Sequence, residues 1–71
     1  MIVMLRVKSW EPEAFRLLEL IGSELHVEAY PQTAGFVPIS VDRSRYKDAE
    51  ADVVRVLEAS GIPWRDHLEL R

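Results

Sequence analysis

Two spacings of apolar residues alternate along this chain, one typical of β-strands and the other of helices. The order in which they occur restricts the possible folds more than any other feature of the sequence. Four segments alternate apolar and polar residues one by one, which is the period of a β-strand: residues 1–8, 24–30, 36–41 and 67–71. Residues 12–21 and about 46–57 instead carry apolar side chains every three or four positions, which is the period of an amphipathic helix. The sequence therefore predicts the order strand, helix, strand, strand, helix, strand.

The first helix carries signals at both of its ends. Pro12 is tolerated only in the first turn of a helix, and the carboxylates of Glu11 and Glu13 suit the positive end of the helix dipole. Gly22 follows the last apolar residue of the stripe, Ile21, and is placed to close the helix in a left-handed cap. We expect a helix that ends near residue 21.

The second helix is bounded in the same way. Asp42 or Ser44 can cap its first turn, Tyr46 opens its apolar stripe, and Gly61 is placed to stop it. With 71 residues the chain can form only one domain, and two helices of similar length can cover one face of a sheet.

We therefore expect residues 1–71 to form a single α+β domain of the ferredoxin-like type. This is a βαββαβ two-layer sandwich, with two helices on one face of a four-stranded antiparallel sheet of strand order 4-1-3-2. Pro38 lacks an N–H group and belongs at an edge, a strand start or a bulge, whereas the third strand of this fold is central. This conflict predicts either a bulge at Pro38 or a rearranged sheet in which the third strand lies at an edge.

One face of the predicted sheet points away from the helices, and its centre is apolar. The residues expected to form this candidate protein interface are Ile2, Met4, Arg6, Tyr30, Phe36 and Pro38. Together they would expose roughly several hundred Å², the size at which an apolar patch usually marks an interaction site. Either Trp10 or Trp64 could instead fold over the patch. No spare segment is long enough to cover a sheet face, so we expect another protein chain to bury it.

Composition argues against several classes of partner. The formal net charge is −3 and basic residues are scattered singly, whereas phosphate-backbone binding depends on clustered Lys and Arg. The apolar run at residues 1–5 is too short to span a bilayer. We expect a cytoplasmic protein that binds neither nucleic acid nor a membrane.

The sequence contains no recognisable catalytic or metal-binding motif. It has no cysteine, and its serines fall at predicted caps, turns and strand surfaces. His26 and His67 lie on opposite edges of the predicted sheet, whereas zinc needs three or four converging ligands. We expect each histidine to form surface salt links, and we predict no catalytic residue, no metal and no cofactor.

A weaker candidate is the loop between the first strand and the first helix. A helix N-terminus presents free N–H groups that could hold a small anion. The residues of this possible small-ligand loop are Ser9, Trp10 and Glu11.

Part of the chain resembles a known family. The stretch VEAYPQTAG at 27–35, then ISVDR at 39–43 and the helix after Tyr46, is similar to the second half of an ACT domain, a ferredoxin-like regulatory module. The resemblance runs from about Leu25 to Leu57. It implies side-by-side pairing of domains and amino-acid binding at their interface, near the loop after the first strand. That loop lacks the glycine usual in the family.

Two hypotheses of different classes follow. The first is a non-enzymatic protein-interaction module that docks its sheet face or an edge strand onto itself, as a homodimer, or onto a larger partner. Such a module could serve as an inhibitor, an immunity protein, an adaptor or a subunit. The alternative is an ACT-like regulatory domain that senses amino acids.

Overall fold

The computed structural model describes all 71 residues. Its regular elements, in chain order, are β1 (Ile2–Val7), α1 (Pro12–Leu25), β2 (Phe36–Ser40), α2 (Ala49–Ala59) and β3 (Leu68–Leu70). Single turns of 3₁₀ helix occur at Thr33–Gly35 and Trp64–Asp66.

The sheet has three antiparallel strands in the order β2-β1-β3. The predicted four-stranded sheet, and with it the ferredoxin-like sandwich, is therefore wrong. The strands that do form keep the neighbours predicted for them, with Met4 opposite Pro38 on one side of β1 and Arg6 opposite Glu69 on the other. The missing strand is the one predicted over residues 24–30.

That strand is missing because α1 continues for one more turn. Leu25 fits both periods, since it lies four residues after Ile21 on the helix and two residues before Val27 in the alternating pattern. The helical period prevails, and His26 closes α1 in the left-handed region with a φ of 54°. Gly22 lies inside α1, where a Cβ atom would stand 3.1 Å from the carbonyl oxygen of Val27. Its missing side chain lets the returning chain pass close to the helix.

The returning segment, residues 26–31, contributes to the core without joining the sheet. Ala29 is buried and Val27 packs partly against the core, yet neither residue is part of a ladder with β2. The N–H of Gln32 donates to the carbonyl oxygen of Phe36 at 2.7 Å and closes the turn into β2.

The second helix starts later than Asp42 or Ser44 predicts. Its cap is Asp48, whose Oδ1 accepts the N–H of Ala51 at 3.1 Å. Asp42 instead closes a local turn, because its carboxylate accepts both the N–H and the hydroxyl of Ser44. Gly61, the predicted stop, has a φ of 76° just beyond the end of α2.

Pro38 occupies an edge strand, as one of the two predicted alternatives requires. The register of β1 against β2 is unbroken, so no bulge is present. Met1 and Val41 exchange backbone hydrogen bonds, and such pairs alternate along an antiparallel ladder. Pro38 therefore occupies a non-hydrogen-bonded position, and its nitrogen faces away from β1. The proline costs the sheet no ladder bond.

The core lies between the inner face of the sheet and the two helices. Each strand contributes its alternate residues, and each helix contributes its apolar stripe. Trp64 is buried in this core and does not fold over the opposite face of the sheet.

Candidate functional site

Five of the six predicted interface residues lie on the sheet face opposite the helices, which we call the open face. Ile2 and Arg6 are exposed, and Met4, Phe36 and Pro38 are half-buried. The intervening residues of the same strands are buried against the helices. Ile2 is 66% exposed, and Met4, Phe36 and Pro38 extend the apolar surface beside it. The face is therefore partly exposed to solvent.

A charged group borders the apolar centre of the open face. Glu69 on β3 lies 3.5 Å from the guanidinium of Arg6 and 3.1 Å from that of Arg71. The guanidinium carbon of Arg71 stands 5.7 Å from the centroid of the Phe36 ring. Because β1 lies between β3 and β2, the Arg71 side chain crosses the open face above β1. The face therefore carries charges of both signs next to its apolar residues.

Tyr30, the sixth predicted residue, is not part of the sheet. It lies in the segment 26–31 and is 71% exposed. It borders a shallow groove beside α1, where Phe15 and Leu18 are among the lining residues. The prediction depended on the strand that does not form.

The possible ligand loop is fixed by side-chain contacts at two positions. The hydroxyl of Ser9 lies 2.8 Å from Nδ1 of His67. Trp10 stacks at an angle against Phe15, with ring centroids 5.9 Å apart, and a Cβ atom on Gly35 would stand 3.3 Å from its ring. Glu11 is exposed and makes no capping bond from its side chain to α1.

His67 occupies a different environment from the one that the sequence predicts. It is only 8% exposed and forms no ion pair, whereas a salt-linked surface histidine was expected. Its carbonyl oxygen accepts the N–H of Lys8 at 2.7 Å, which extends the pairing of β1 with β3.

The fold places two carboxylates beside this imidazole. One ligand atom from each of Glu11, Glu13 and His67 lies within 4.8 Å of the other two. Sequence reasoning missed this cluster because it placed Glu11 and Glu13 at the start of a helix, and Glu11 also in the possible ligand loop, without connecting either residue to His67. The signal that could have found it is the predicted pairing of the first and last strands, which brings residue 67 next to residue 8.

His26 is far less constrained. It is exposed and has no side-chain hydrogen bond, and its role in the fold is to close α1. The prediction that His26 lies on an edge strand of the sheet is wrong, because residues 24–30 form no strand.

No helix of the protein is long and apolar enough to cross a membrane. A scan against models of known families finds no match, and neither do searches of curated proteins and of solved structures.

Proposed function

We propose that the protein is a small non-enzymatic interaction module whose open face docks onto a second copy of itself. The observation that carries the proposal is the exposed aliphatic side chain of Ile2 beside half-buried Met4 and Phe36, all on one face of the sheet. An apolar centre within a polar rim is typical of protein interfaces.

The size of the open face sets the expected strength of pairing. The three strands have six, five and three residues, and at ordinary strand spacings they cover roughly 250 Å² per copy. Two copies would bury roughly 500 Å² of flat area, well below the roughly 1,600 Å² of a standard interface. Interfaces below about 1,200 Å² are typical of weak or transient complexes. We therefore expect a reversible dimer that dissociates on dilution.

The edges of the sheet favour docking through the face over strand addition. On β2, the outward position of Pro38 has no N–H, and the outward carbonyl of Phe36 already accepts a bond from Gln32. Added strands depend on such main-chain groups. β3 has only three residues, so its edge could form few bonds.

The charges of the open face support a self-complementary partner. A two-fold axis brings the same patch of both copies together. Because Arg6, Arg71 and Glu69 share the face, an arginine of one copy can pair with Glu69 of the other. A face that carried charges of only one sign would repel the same face of a second copy.

Light scattering over a dilution series tests this proposal directly. The wild-type protein should show a mass that rises with concentration toward that of a dimer. Met4→Glu or Phe36→Glu should leave the circular dichroism spectrum unchanged and abolish the rise, because docking would have to desolvate a new charge in the apolar centre of the contact.

Tyr30→Glu is the matched control, since Tyr30 is highly exposed but lies outside the open face. It should dimerise like the wild type. A wild-type monomer at every concentration would rule out self-docking, and so would a loss of association in Tyr30→Glu equal to that in Met4→Glu.

A further inference from the structure

We propose that Glu11, Glu13 and His67 form a binding site for a divalent transition-metal ion of the zinc class, with Ser9 orienting the imidazole. This site is independent of the open face. It joins the start of α1 to the residue before β3.

The three side chains are close enough to converge on one ion. Their ligand atoms lie within 4.8 Å of one another, whereas donors around a bound zinc stand about 3–3.5 Å apart, given bonds of about 2.0–2.2 Å. Both glutamates are exposed, so their side chains can rotate to bring the carboxylate oxygens within zinc-binding distance at little cost in free energy. The imidazole is the fixed part of the site.

The burial and the hydrogen bonding of His67 distinguish this cluster from a group of ordinary surface carboxylates. The residue is only 8% exposed, and the only hydrogen bond of its side chain joins Nδ1 to Ser9. Nε2 has no protein partner and is not sealed from solvent. When Nδ1–H donates to the Ser9 hydroxyl, the lone pair resides on Nε2. Metal-binding histidines are generally oriented in this way, by a bond from the ring nitrogen that does not hold the metal.

The competing explanations account for only part of this arrangement. Glu11 and Glu13 would favour the positive end of α1 without any ion. That effect does not explain why a buried imidazole with one unpartnered nitrogen lies beside them. An ion pair with a charged histidine would explain the proximity, but neither carboxylate forms one with His67.

The donor set selects the class of ion. Calcium and magnesium prefer oxygen ligands alone, whereas imidazole nitrogen suits zinc, cobalt and nickel. Two carboxylates balance the charge of a divalent ion. Three protein ligands leave at least one position for water or for a group of another molecule, as in open zinc sites.

Calorimetric titration of the full chain with Zn²⁺, together with proton NMR of the two imidazoles, tests the assignment. One ion should bind per chain, and the signals of His67 should shift. Glu11→Gln and Glu13→Gln should each weaken binding by about tenfold or more, the scale seen when metal sites are impaired. These exposed positions avoid the risk that a His67 variant fails to fold.

Two controls match these variants. Glu19→Gln removes an exposed carboxylate from the same helix, and His26→Asn removes the other imidazole with a residue that tolerates its left-handed backbone. Both should bind zinc like the wild type. The site would be overturned by an absence of binding at submillimolar Zn²⁺, by shifts confined to His26, or by equal losses in Glu19→Gln and Glu11→Gln.

Discussion

The hydroxyl of Ser9 lies 2.8 Å from Nδ1 of His67, joining the loop after β1 to the residue that precedes β3. The two residues are far apart in the sequence, and His67 is almost fully buried. A buried polar group that loses its partner costs about 1–3 kcal/mol. This single bond should therefore contribute measurably to the stability of a small domain.

Ser9→Ala should lower the free energy of unfolding by about 1–2 kcal/mol, because Nδ1 of His67 would lose its partner. Urea denaturation followed by circular dichroism measures this change. Ser40→Ala is the control, since Ser40 is exposed and its side chain makes no hydrogen bond; it should stay within about 0.5 kcal/mol of the wild type. Equal effects in the two variants would contradict the role assigned to the Ser9 bond.

The strands that form could be predicted because each has one buried and one exposed face. Val3, Leu5 and Val7 face the helices, and Ile2 and Met4 face away, as strict alternation requires. Five residues of the open face follow from this pattern alone. Tyr30 does not, because its placement required a strand that the longer α1 replaces.

The end of α1 could not be read from the sequence for a local reason. Gly22 is a residue type that commonly ends helices, yet here it lies inside α1 and allows the Val27 carbonyl to approach the helix closely. The actual cap is His26, which adopts a positive φ without being glycine. Leu25 fits both periods, and in the structure it is buried as the last residue of α1.

The proximity of Glu11, Glu13 and His67 depends on contacts between residues far apart in the sequence, and the spacing of apolar residues does not reveal such contacts. Glu11 and His67 are neighbours only because β1 and β3 pair and α1 begins directly after the following loop. Amino-acid binding, which the resemblance to ACT domains implies, stays a prediction. A thermal-shift screen of the twenty amino acids would test it, since a ligand of the folded state raises the melting temperature.

Pro38→Val should promote edge-to-edge association without unfolding the protein. The substitution restores an N–H on the outer edge of β2, where the proline now offers none, and unprotected edges pair with other strands. Turbidity and light scattering during prolonged incubation would measure the faster aggregation.

Ser40→Val is the matched control for this prediction, because it adds an apolar β-branched residue to the same strand without adding a donor. It should aggregate more slowly than Pro38→Val. If the two variants aggregate at the same rate, the hydrophobicity of the added side chain, and not the missing N–H of Pro38, controls aggregation through the β2 edge.

Acid should remove the stabilising effect of the Asp42 turn. The backbone N–H of Ser44, and after it the Ser44 hydroxyl, donate to the Asp42 carboxylate and hold its pKa below the ordinary value of 3.8. A carboxyl group with a lowered pKa in the folded protein stabilises it above the unfolded pKa, and this contribution is lost as the pH falls through the folded value. The stability advantage of the wild type over Asp42→Ala should therefore be complete at neutral pH and shrink below pH 3.8.

The Ser44→Ala variant separates the two hydrogen bonds of this turn. It removes the hydroxyl and keeps the backbone N–H, which is the larger cause of the shift. The pKa of Asp42 should therefore rise only part of the way toward its ordinary value. A carbon-13 NMR titration of the Asp42 carboxyl in both proteins measures this directly. An unchanged pKa in Ser44→Ala would mean that the hydroxyl does not bond to Asp42 in solution, and a complete return to the ordinary value would mean that the backbone bond does not lower the pKa.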